Sequence, residues 1–151
     1  MLISTAIGRY CPQYLQSGGP ERSYPSVTAT AAPITPPPGA HHSGVADVYV
    51  PPNASLEPAE DTTPGAERWD LEGTSFSDAV AQEEALLPVG QPLEGHPWCQ
   101  KTKMPPNTPK DEMNWIWGRP RNAIIVSVFP VMDNFQTIVI RRTTEASLYC
   151  K

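Results

Sequence analysis

Thirteen of the chain's 19 prolines fall within residues 1–95, and that density constrains the fold more than any other feature of the 151 residues. Each proline removes a backbone donor, fixes φ and pushes the preceding residue out of the helical region. Helix and sheet ladders are both hard to build through such a stretch. Charge divides at the same place. Residues 1–95 carry three basic residues, Arg9, Arg22 and Arg68, against twelve acids, whereas residues 96–151 carry eight basic residues against four. The nets of −9 and +4 sum to the −5 of the whole chain. An acidic arm joined to a basic C-terminal module is the organisation expected of this pattern. An acidic arm also argues against a dedicated nucleic-acid coat, which needs a basic face.

Residues 1–67 read as irregular. Pro33-Ile34-Thr35-Pro36-Pro37-Pro38 favours polyproline II, and its PxxP spacing lacks the flanking basic residue of an SH3 ligand, so a stiff spacer is expected. Asp47-Val48-Tyr49-Val50 suits one short extended segment stopped by Pro51 and Pro52. Asn53-Ala54-Ser55 is a formal glycosylation sequon, read as a chance match because no clear signal peptide precedes it. The N-terminal MLISTAIGRYC lacks a basic n-region, which points to an intracellular chain, although the acid-free residues 1–20 weakly resemble an organelle-import segment. No apolar run approaches the length of a transmembrane span.

A helix is expected at Ser75–Leu87, with Ser75 as its cap and Asp78 three residues on. Phe76, Ala79, Val80, Leu86 and Leu87 are placed on its inner face, and Asp78, Gln82 and Glu83 on the outer one. Pro88 and Gly90 end it. A helix this short is marginal in water and needs a surface to pack on, either in this chain or in a partner's groove. Trp69 is a nearby aromatic anchor for either. Residues 88–110 follow as a second linker. Thr35, Thr63 and Thr108 each precede a proline, the pattern that proline-directed kinases use, although chance supplies such pairs in a proline-rich chain.

From Asp111 the composition changes. Ala123–Phe129 and Gln136–Arg142 are rich in β-branched residues and flank a Pro130–Phe135 loop, which predicts a hairpin. Met113–Trp117 and Ser147–Cys150 are candidate flanking strands. Ile124, Val126 and Val128 share one face, while Ala123, Ile125, Ser127 and Phe129 share the other, so the first strand reads as central and covered on both sides. A lone hairpin is at best marginally stable in water. The expected fold class is therefore mostly irregular or disordered, with one short amphipathic helix and a small antiparallel β element, a hairpin or three-stranded meander, at the C-terminus. The divisions are a disordered arm (1–74), a conditional helix (75–87), a linker (88–110) and a β module (111–151).

Chemistry is sparse. His96 and Cys99 have ligand spacing but no second pair to complete a zinc site, and His41-His42 lie in the proline-rich arm. There is no Gly-x-Ser-x-Gly turn, Walker loop or GxGxxG element. Glu83-Glu84 and Asp111-Glu112 read as solvated charges. Cys11, Cys99 and Cys150 are too few for a disulfide framework; reduced thiols are expected, with a Cys99–Cys150 bridge if the chain is secreted. No catalytic residue, metal or cofactor is assigned.

The function expected is non-enzymatic: an interaction or assembly subunit whose C-terminal β segment pairs with a protein partner or a second copy while the arm stays disordered or drapes over it. The partner-binding residues on this reading are Trp115, Trp117, Ile124, Val126, Val128, Phe129, Ile138 and Ile140. A single-stranded nucleic acid is the alternative partner, held by Trp115 and Trp117 with Arg119, Arg121, Arg141 and Arg142. A regulatory helix docking through Phe76 and Leu86 is the other alternative.

Overall fold

A computed structural model describes residues 34–103, 111–144 and 150. It corrects the expected fold class. Two strands, β1 (His41–His42) and β2 (Tyr49–Val50), form a small antiparallel ribbon. Six more form one antiparallel sheet: β3 (Ser55–Leu56), β4 (Ala66–Glu72), β5 (Trp98–Lys103), β6 (Met113–Arg119), β7 (Asn122–Met132) and β8 (Phe135–Thr143). The spatial order is β3-β4-β8-β7-β6-β5. The single α-helix among the described residues, α1 (Phe76–Glu84), lies between β4 and β5 in the chain. The Cys11 thiol, the import-like residues 1–20, Thr108 and the Ser147–Cys150 strand, save Cys150 itself, lie outside the described residues.

The arm supplies what the C-terminal strands were expected to seek elsewhere. β4 reads Ala-Glu-Arg-Trp-Asp-Leu-Glu and pairs along its length with β8, Trp69 opposite Ile138 and Leu71 opposite Gln136. Its alternation is that of a half-buried strand, with Trp69 and Leu71 inward and Arg68 and Asp70 on the other face. Four prolines stand between β2 and β4, at positions 51, 52, 58 and 64. They fall outside the named strands, so proline density marked the joints of the arm rather than the absence of a fold.

After β4 the chain must reach β5 at the far side of the sheet, and α1 lies on that route across one sheet face. The face beneath is a continuous apolar surface. Met113, Val128, Ile138 and Trp69 stand side by side across four strands, as do Trp115, Val126 and Ile140. Against them pack Ala79 of α1, Leu87 and Leu93 after it, and Ala46, Val48, Val50 and Ala54 of the arm. Trp98 meets Trp117 edge-to-face with centroids 5.2 Å apart. Each fully buried Ile, Val or Leu contributes about 1.5–3 kcal/mol.

The opposite face has a smaller apolar cluster, Ile116 and Ile125 with Cys150 and Cys99. There Cys99 and Cys150 form a disulfide with Cα atoms 5.9 Å apart, 51 residues apart in the chain. Toward β4 and β8 this face becomes polar: Thr137 donates to Asp70 at 3.0 Å, and Arg68 lies between Asp70 and Glu57. The β6–β7 turn depends on Gly118. Its φ is +112°, and a Cβ there would stand 2.2 Å from the Asn122 carbonyl oxygen.

The β7–β8 hairpin is longer than expected. β7 continues through Pro130 to Met132 with a register shift between those two residues, and only Asp133 and Asn134 remain to turn. Asn134 adopts a positive φ of 54°, which asparagine tolerates better than most residues.

Ser75 caps α1 by accepting the Asp78 backbone N–H at 3.2 Å. The helix ends at Glu84, three residues before the expected limit. One residue on it is placed differently from expectation. Glu83 is fully buried, and neither carboxyl oxygen has a hydrogen-bond partner. Position 83 follows 76, 79 and 80 at helical spacing, so geometry puts it on the apolar stripe whatever its chemistry. Its neighbour Glu84 is spoken for by polar groups. It accepts from the Trp115 indole at 3.0 Å and pairs with Lys101 at 2.8 Å.

Burial raises the Glu83 pKa well above its ordinary value. The folded chain therefore holds this proton more tightly than the unfolded chain. The resulting stability is full below about pH 4.3, the unfolded value, and is lost as pH rises through the folded one. Glu83→Leu is expected to stabilise the protein at pH 7 by at least ~1 kcal/mol and to flatten stability above pH 5, measured by urea unfolding across pH. Reducing Cys99–Cys150 opens a long loop and is expected to cost about 2–4 kcal/mol, read as a fall in Tm that Cys150→Ser reproduces without reductant.

Candidate functional site

The tip of the β7–β8 hairpin rests on the turn that leads from β4 into α1. The Gly73 N–H donates to the Asn134 carbonyl at 2.7 Å, and Gln136 Nε2 donates to the Thr74 carbonyl at 2.8 Å. These two bonds hold the tip beside the N-terminus of α1. Between them lies a groove of about 570 Å3, whose lining includes Phe76, Pro130, Val131, Met132, Asp133 and Gln136.

Three features of the groove are chemical rather than merely concave. First, its rim is apolar and open: Met132 is 63% exposed and Val131 39%, two of the few large apolar side chains left in water. The register shift at Pro130/Met132 interrupts the alternation that would turn one of two neighbours inward. Second, Gln136 is buried, and while its Nε2 is bonded, its Oε1 has no donor. A buried amide oxygen without a partner is costly to the fold. Third, Asp133 is exposed at the tip and has no ion-pair partner among the described residues, whereas Asp111 nearby pairs with Lys103 at 3.0 Å.

The ten residues expected to bind a partner divide sharply. Trp115, Trp117, Ile124, Val126, Val128, Ile138, Ile140 and Leu86 are all buried. The two indole N–H groups are satisfied, Trp115 by Glu84 and Trp117 by the Gln91 carbonyl at 2.9 Å, so neither ring presents a face for a base. Phe76 and Phe129 are half-buried. Phe76 lines the hairpin-tip groove. Phe129 lines a second groove of about 460 Å3 on the opposite sheet face, beside Val139, Arg141 and Thr63.

Sequence reasoning missed Val131, Met132 and Gln136. It assigned Pro130–Phe135 to a loop, where exposed side chains need no explanation. The available signal was an apolar pair directly before an Asp-Asn turn, which places hydrophobic side chains at a hairpin tip.

Other titratable groups are internally engaged. His96 bonds Asn122 through Nε2 at 3.0 Å, and Cys99 is consumed by the disulfide. Desolvation raises Glu84, but its bonds from Lys101 and Trp115 and the Lys101 charge outweigh it, and the carboxyl sits below its ordinary value. Desolvation likewise raises Glu94, while Arg142 and the Asp47 N–H draw it lower overall. Among the described residues no three His, Cys, Asp or Glu side chains cluster to hold a metal ion. No helix among them is long and apolar enough to cross a membrane.

Comparison with protein-family models, with curated proteins and with solved structures returns no match.

Proposed function

We propose that this chain is a non-enzymatic protein-interaction module that docks a partner through the groove at its β7–β8 tip. The observation that carries the reading is an apolar rim at the hairpin tip, with Val131 and Met132 exposed beside the Asp133 carboxylate. Unbranched methionine adapts to varied side chains, and exposed apolar groups at a turn that is otherwise polar mark contact surfaces. The free Asp133 carboxylate adds a preference for a positively charged neighbour. The occupant that fits is a peptide segment offering an apolar side chain and a nearby Lys or Arg.

The expected strand pairing takes a different form in this reading. β7 lies between β6 and β8, and β8 between β7 and β4, so the strands first assigned to a partner are paired within the chain. Their role is to hold the tip rigid. Helix docking is likewise internal, with Ala79 of α1 in the core and Phe76 at the groove.

The test is co-purification from the native source, with bound proteins quantified by mass spectrometry. The double variant Val131→Asp/Met132→Asp is expected to lose at least tenfold of the main partner while its Tm stays close to that of the parent chain. Arg141→Glu, on the opposite face, should retain the partner. Equal recovery with both variants would remove the groove from the interaction. A concentration-dependent dimer abolished by the same double variant, seen by light scattering, would make a second copy the occupant.

A further inference from the structure

We propose that Asn53 is an acceptor for an N-linked glycan, placed in the exposed turn that leads into β3. The site goes beyond the binding reading and rests on different residues. Asn53-Ala54-Ser55 has the acceptor spacing, in which the Ser hydroxyl two residues on completes recognition of the amide. As a sequence it is weak, because short patterns recur by chance. Two structural observations change its standing.

The first is the Cys99–Cys150 disulfide. Structural disulfides form and persist in oxidising compartments, the secretory lumen above all, and are rare in the reducing cytosol. That lumen is where asparagine glycosylation takes place. The reason for setting the sequon aside was the lack of evidence for that compartment, and the disulfide supplies it from residues far from the N-terminus.

The second is local geometry. Asn53 is exposed and sits in a turn closed by the Ala54 N–H on the Pro51 carbonyl at 3.0 Å. Pro52 and Asn53 are the central residues of that turn, and Ser55 then enters β3, also exposed. The Asn53 amide makes one long contact, from Nδ2 to Thr74 Oγ1 at 3.5 Å. A glycosylated asparagine keeps one N–H on that nitrogen, so the contact can survive modification. Only the small Ala54 of the three is buried, and it needs no change.

The reaction balances without a redox partner. Asn53 Nδ2 attacks the anomeric carbon of an oligosaccharide carried on a lipid pyrophosphate. The C–N bond forms, the bond from that carbon to the pyrophosphate oxygen breaks, the lipid pyrophosphate departs, and the amide proton passes to a base of the transferase. The product has a place in the fold. β3 is the outermost strand on its side, two residues long, with Leu56 55% exposed. An exposed sheet edge is a template for pairing with another chain, and a hydrophilic glycan two residues before β3 covers it.

The experiment expresses the full chain behind a secretion leader in a eukaryotic host and maps peptides without reduction, in secreted and cell-retained material alike. The expected result is a closed Cys99–Cys150 pair together with a glycan on the Asn53 peptide, which peptide-N-glycosidase removes to leave Asp at that position. Ser55→Ala should abolish the modification and leave the disulfide closed; Ser55→Thr should retain it. Unmodified Asn53 in molecules whose disulfide is closed would overturn the proposal. Free thiols at Cys99 and Cys150 in the same material would overturn it too, by removing the compartment on which it rests.

Discussion

Everything in this structure depends on covering one face of a sheet whose strands come from both ends of a compositionally divided chain. β6, β7 and β8 offer Trp115, Trp117, Ile124, Val126, Val128, Ile138 and Ile140 on a single face, all buried. A three-stranded meander with that face in water would not persist. The cover comes from the acidic, proline-rich half: Val50 from β2, Val48 and Ala54 from the segments flanking it, Ala79 from α1, and β4 as a further strand beside β8. Neither half has a sufficient core alone, and the contacts between them have large sequence separation. Such contacts are entropically costly to close, and the Cys99–Cys150 bridge on the opposite face adds a covalent closure within the C-terminal half alone.

Two buried polar groups stand out against that apolar background, and they differ in kind. Glu83 lies on the inner stripe of α1 with no partner for either oxygen. Protonation answers its burial, and the cost appears as pH-dependent stability. Gln136 cannot answer in that way, since an amide does not titrate near neutral pH. Its Nε2 is used to hold the hairpin tip on the β4–α1 turn, and its Oε1 is buried without a donor. The same side chain therefore positions the site and carries an uncompensated buried acceptor.

Several parts were legible before the structure. The capping serine at 75, the strands around Met113–Trp117, Ala123–Phe129 and Gln136–Arg142, and the central place of the 123–129 strand all followed from spacing and alternation. The arm did not. β4 carries a clear alternation from Glu67 to Leu71, but it is brief, charged on its outer face and surrounded by prolines, so local propensity outweighed it. Its neighbour is β8, about 70 residues later, and pairing across such a distance leaves no local trace. Glu83 was misplaced for the opposite reason: its spacing named the inner face, and its charge argued otherwise.

By itself the sequence determined where the chain turns and where it is apolar, because prolines, glycines and side-chain alternation act within a few residues. It also determined that the C-terminal strands need cover. Only the tertiary structure decided what supplies that cover, which of the ten candidate binding residues are core, and that Cys99 meets Cys150. Those outcomes depend on which distant segments lie side by side once the sheet closes, and burial is a property of that assembly rather than of any residue in it.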